Sequence, residues 1–90
     1  MRKTTFLGET IGGTIRGKRK KQKMSIEDLA DAADLNDKFL GEVERGEKIP
    51  SIHTIMKLAK PLNLKESREL LVDVDEKVYP TIKKGNQEEV

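Results

Sequence analysis

Ninety residues, 34% hydrophobic and 38% charged with only Phe6, Phe39 and Tyr79 as aromatics, fit one small all-α domain with an aliphatic core. No cysteine and a single histidine, His53, exclude disulfides, zinc fingers and thiol nucleophiles, and no apolar run approaches the ~18 residues of a membrane span, so a soluble cytoplasmic protein is expected. The net charge of +2 averages a first 24 residues with eight bases and one acid against a later stretch, Ser25 to Glu47, with eight acids and two bases.

Residues 1–6 are polar, carry no helical period and read as an arm. A first helix is expected from Leu7 or Glu9 to Lys21, with Leu7, Ile11 and Ile15 inward and Arg19 on the same line. Gly12, Gly13 and Gly17 lie inside it, each at up to ~1 kcal/mol relative to alanine, so packing must hold this helix. The basic run Arg16 to Lys23 is either a solvated helix end, favoured by the macrodipole, or a phosphate-facing patch.

From Ser25 to Gly46, apolar or small residues recur at Leu29, Ala30, Ala33, Leu35, Leu40 and Val43, in steps of three and four on either side of a break at Asp34–Leu35–Asn36. Ser25 can cap the first of these two helices, with Asp28 completing an approximate capping box; Asn36 can cap the second, and Gly46 ends it. Two helices joined by three or four residues, crossing closely over Ala30 and Ala33, make a helix-turn-helix.

Glu47 to Pro50 reads as a loop. Ser51 caps a fourth helix with Ile52, Ile55, Leu58, Ala59 and Leu62 inward, Met24 and Met56 filling the core and His53 at the surface. Pro61 should end or kink that helix near Lys60. A fifth short helix is expected after Asn63, with Glu66 three residues on and Leu64, Leu70 and Leu71 apolar. Beyond Asp73 the spacing of Val74, Val78, Tyr79 and Ile82 is uneven and Pro80 interrupts, so residues 73–90 read as an extended or disordered tail, with 77–82 a possible arm onto a partner subunit. The division is thus an arm (1–6), a helix-turn-helix domain (7–72) and a tail (73–90).

Leu29, Ala30, Ala33, Leu35, Leu40 and Val43, followed by Glu44-Arg45-Gly46 and Pro50-Ser51, resemble the Xre, or Cro-type phage-repressor, helix-turn-helix family over roughly Leu7 to Leu71. The resemblance implies a lambda repressor-like bundle of about five helices. It also implies an ion pair between Arg19 and Glu44, and a last helix that takes part in dimerisation, which makes Leu70 and Leu71 candidates alongside Val78 and Tyr79 of the tail. In such a domain the second motif helix enters the major groove. From the phase of Leu40 and Val43 its outward positions are Asn36, Asp37, Lys38, Gly41, Glu42 and Arg45. Lys38 suits guanine, Asp37 or Glu42 suits a cytosine amino group, and Gly41 admits a thymine methyl or a phosphate. Phosphate candidates are Lys23, Ser25, Ile26 through its backbone, Arg45 and Lys48. Two positions depart from the family: Ile26 stands where it commonly has glutamine, and Asp34 where it prefers glycine.

The reading is therefore a transcriptional regulator, a repressor that binds double-stranded operator DNA as a homodimer. The alternative is a protein-interaction module whose acidic motif surface meets a basic partner. No nucleophile–base pair, metal-ligand spacing or phosphate-cradling loop points to an enzyme, a metal or a cofactor.

Overall fold

The computed structural model describes residues 4–85. Four α-helices, α1 (Phe6–Lys21), α2 (Ile26–Ala32), α3 (Asp37–Glu44) and α4 (Ile52–Ala59), are followed by three short helical turns: a 3-10 turn Ser67–Leu71, a π turn Val74–Val78 and a 3-10 turn Tyr79–Thr81. The all-α architecture is the expected one, with an irregular last member.

Each α-helix starts on a side-chain cap. Thr5, Ser25, Asn36 and Ser51 accept the backbone N–H of Gly8, Asp28, Phe39 and Thr54 at 2.9, 2.9, 3.1 and 3.1 Å. Because Thr5 supplies the first cap, α1 begins at Phe6, inside the stretch read as an arm; residues 1–3 of that arm lie outside the described residues.

The helices also share one way of ending. After α3, Gly46 at φ 82 places its N–H on Val43 O and the N–H of Glu47 on Glu42 O, at 3.0 and 2.9 Å. These are the two crossed bonds of a Schellman motif, which satisfy carbonyls the helix leaves open. Lys23 (φ 60) closes α1 through bonds to Lys20 O and from Met24 to Arg19 O; Asp34 (φ 54) closes α2 through Asp31 O and Ala30 O. Asn63 (φ 61) does the same beyond α4, whose regular part ends at Ala59, where the missing Pro61 N–H interrupts the ladder. Asn63 is therefore a terminator of the preceding turn and not the cap of a fifth helix. That role passes to the Glu66 position, where the Glu66 N–H donates to Glu69 Oε2 at 2.9 Å.

The core is aliphatic: Ile11, Ile15, Leu29, Leu40, Val43, Leu58, Leu62 and Leu70 are all but completely buried. On α4 the buried stripe is Ile55, Leu58 and Ala59, continued by Leu62 in the turn beyond it. Met56, about 100° away from Ile55 around the helix, is exposed, and so is Ile52, which sits in the first turn beyond the edge of the core. Both were expected inside. α1 approaches α3 backbone to backbone, because a Cβ on Gly12 would lie 2.2 Å from Val43 O and one on Gly8 would lie 2.6 Å from Gly46 O.

The segment after Asp73 departs from the expected extended tail. Val74 and Val78 are one helical turn apart; Val78 is buried, Val74 is partly buried against the core, and the π turn packs on α1. Thr14 Oγ1 donates to Asp73 Oδ2 at 3.1 Å and fixes the entry to that turn. Pro80 does not break the run, since it occupies an early position of a 3-10 turn where no N–H is required. Residues 86–90 of the stretch read as an extended or disordered tail lie outside the described residues. Among the described residues no helix is long and apolar enough to cross a membrane.

Candidate nucleic-acid interface

α3 is held from beneath by one buried ion pair. Arg19 Nε and Nη2 donate to Glu44 Oε2 and Oε1 at 2.7 and 2.9 Å, and Nη1 donates to Met24 O at 2.9 Å. Both residues are over nine-tenths buried, and the two parallel N–H···O bonds engage both carboxylate oxygens. The hydrogen bond to Glu44 raises the Arg19 pKa, outweighing the opposing effect of burial, with the Glu44 and Glu27 charges adding to it. The pair ties the C-terminal part of α1 to the end of α3.

On the outer surface of α3, Asp37 and Lys38 are exposed, and Phe39 and Glu42 are half-buried, Phe39 against the core. Asn36 is exposed with its Oδ1 committed to the cap. Gly41, expected to face the base edges, is buried instead. The Arg45 side chain, one turn on, folds back over it, with Nη1 3.1 Å from where a Cβ would stand.

The phosphate candidates separate likewise. Lys23 and Lys48 are exposed. Ser25 has its hydroxyl and its N–H engaged with Asp28, at 2.9 and 3.1 Å. Ile26 is half-buried against the core and offers no side-chain donor. Arg45 is held by Glu47, Nε to Oε2 at 2.9 Å and Nη2 to Oε1 at 3.4 Å.

Two surface hollows meet at Ile26, Gly41 and Arg45. One also carries Glu27, Asp37 and Lys38; the other, along the α1–α3 seam, also carries Arg16, Arg19 and Glu44. Arg16 was not singled out by the sequence and entered only as the first residue of the basic run read as either a solvated helix end or a phosphate-facing patch. The only signal for it was its place three residues before Arg19, on a helix whose basic run gave no way to choose among the bases. Of the dimer candidates, Leu70 and Val78 are buried in this chain's own core, so neither offers a surface; Leu71 is half-buried and Tyr79 is 70% exposed.

Residues 15–70 match the protein family described as Helix-turn-helix. The chain belongs to that family, in its Xre/Cro-like branch. This helix-turn-helix protein is 31% identical over 70 residues to the transcriptional regulator ClgR of Mycobacterium tuberculosis, covering 78% of this chain and 62% of ClgR. The chain thus spans less than two thirds of the curated regulator's length. Among solved structures, the restriction-modification controller protein C.AhdI of Aeromonas hydrophila aligns with a TM-score of 0.67 and 36% identity, over 70% of this chain and 94% of that one. The biofilm master regulator SinR, solved in complex with DNA, aligns with a TM-score of 0.64 and 31% identity, over 68% of this chain and 97% of that one. Relatives of this kind support a DNA-binding transcriptional regulator.

Proposed function

We propose that this helix-turn-helix protein is a cytoplasmic, non-enzymatic repressor that occupies operator DNA as a homodimer, with α3 in the major groove. The observation that carries the reading is α3 itself, anchored from inside by Arg19–Glu44 and presenting Asp37 and Lys38 outward. The N-terminal turn of such a helix reaches base edges first. Lys38 donates to a guanine edge, and Asp37 and Glu42 accept from cytosine amino groups. Lys23 and Lys48 hold phosphates on either side and fix the register. The acidic surroundings make base contacts depend on these cations, so affinity falls steeply as salt rises.

The second copy is placed on the apolar face of α4, where Ile52 and Met56, one turn apart, are 66% and 52% exposed and Ile49 lies nearby in sequence at 53%. A two-fold dimer then presents two α3 helices to half-sites about one helical turn, ~34 Å, apart.

Selection from a random duplex pool at moderate salt tests the function. A repressor of this kind enriches a pseudo-palindrome; a pool that emerges without enrichment rejects the reading.

A further inference from the structure

Gly41 is an outward position that is nonetheless covered, and the cover is the guanidinium of Arg45. Glu47 grips the Nε and Nη2 edge of that group, while Nη1 lies over the bare α-carbon of Gly41. The folded arm lines the seam hollow together with Arg16, Arg19 and Glu44, and Arg45 brings its own carboxylate partner, Glu47, beside it. Arg19 is matched to Glu44 inside the bundle. Arg16 is exposed and, among the described residues, has no hydrogen-bond or ion-pair partner.

We propose that Arg16 and Arg45 form a two-armed seat for one backbone phosphate of the duplex, and that Gly41 is the bare position that lets the Arg45 arm lie back across α3. This rests on the DNA-binding reading above. A planar guanidinium matches a phosphate oxygen pair with two N–H donors, which suits it to a fixed seat better than a lysine ammonium. The neighbouring hollow balances Lys38 and Arg45 against Glu27 and Asp37, whereas the seam hollow holds the unpartnered cation Arg16, which favours the α1–α3 seam for a phosphate. The two hollows share Ile26, Gly41 and Arg45, and Lys38 lines the second. A phosphate seated on the seam therefore sets the distance from the strand to the base-facing Lys38. Ile26, which cannot donate from its side chain, forms the apolar wall between them.

The test uses the full chain, a duplex recovered by selection and a duplex of random sequence, with affinity followed by fluorescence anisotropy across a salt series. Arg16→Gln and Arg45→Gln should each weaken both duplexes by the same factor, roughly tenfold. The double variant should lower the slope of log affinity against log salt by about one, as for a single phosphate. Gly41→Ala, which shifts the Arg45 guanidinium by a few tenths of an ångström, should weaken both duplexes by less than Arg45→Gln without lowering the melting temperature, and add nothing further in the Arg45→Gln background. Lys65→Gln, a charge change on the loop after α4, should leave the selective affinity in place. Wild-type affinity and slope in Arg16→Gln, or a full additional loss from Gly41→Ala in the Arg45→Gln background, would overturn the seat while leaving the regulator reading intact. A wild-type chain that binds neither duplex even at low salt removes both.

Discussion

At Gly12 a single missing methyl group decides how two helices meet. Its Cβ would collide with two carbonyls of α3, at 2.2 and 2.7 Å, whereas Gly13 and Gly17 on the same helix face open space. Gly12→Ala should therefore destabilise by about 1–3 kcal/mol through overpacking. Gly13→Ala and Gly17→Ala should each stabilise by roughly 0.5–1 kcal/mol, because alanine restricts the unfolded chain and favours helix. In a domain of this size thermal melts would separate the two classes by several degrees, at ~4–8 °C per kcal/mol. The sequence showed three glycines in one helix and the need for packing to hold it. It could not show which glycine touches another backbone, because that depends on the crossing point of α1 and α3.

The Arg19–Glu44 pair belongs to the same scale. Glu44→Ala leaves a buried guanidinium without its carboxylate and should cost roughly 3–5 kcal/mol, enough to unfold much of the population of a small domain; replacing both residues with apolar ones of similar volume should recover most of that. Denaturant melts of the single and double variants measure the difference. Since the folded Arg19 pKa is raised, its contribution is complete below the unfolded value and is lost only as pH climbs through the folded one. This pair therefore predicts no loss of stability on the alkaline side below the ordinary arginine range.

At the scale of elements, three of the four Schellman endings rest on residues, Lys23, Asp34 and Asn63, that are not glycine yet adopt positive φ. Asp34 was legible, since a short polar side chain tolerates that conformation. Asn63 was misread because asparagine serves helix starts and left-handed stops alike, and Lys23 was missed because lysine has no such preference. Lys23→Gly should stabilise the fold by about 1 kcal/mol in urea melts. If Lys23 holds a phosphate, the same change should weaken DNA binding, so stability and affinity move in opposite directions. The turns after Asp73 were illegible for another reason: a π turn alters the spacing on which a helical pattern is recognised, and Pro80 hides its own permissible position.

For the whole molecule, the fold was readable because every core stripe is aliphatic and carries its own cap, while the interface was readable only in part. The phase of Leu40 and Val43 turned Asp37 and Lys38 outward, but it could not foresee that a long side chain four residues on would cover Gly41. The same limit applies to assembly. Leucine and valine spacing does not distinguish a residue buried in its own chain from one buried against a copy, so Leu70 and Val78 appeared to be dimer residues. Ile52→Glu with Met56→Glu should convert a dimer to a folded monomer in sedimentation, and Tyr79→Glu should not; the opposite pattern would move the interface to the C-terminal turns.

The central claim, that α3 reads operator bases, is tested most directly by comparing wild type with Lys38→Ala on a selected duplex and on one permuted at the enriched positions. Lys38→Ala should bind the selected duplex at least tenfold more weakly, a loss of about 1.4 kcal/mol, and should no longer distinguish the two at its guanine. Discrimination equal to wild type in a folded Lys38→Ala chain would contradict it.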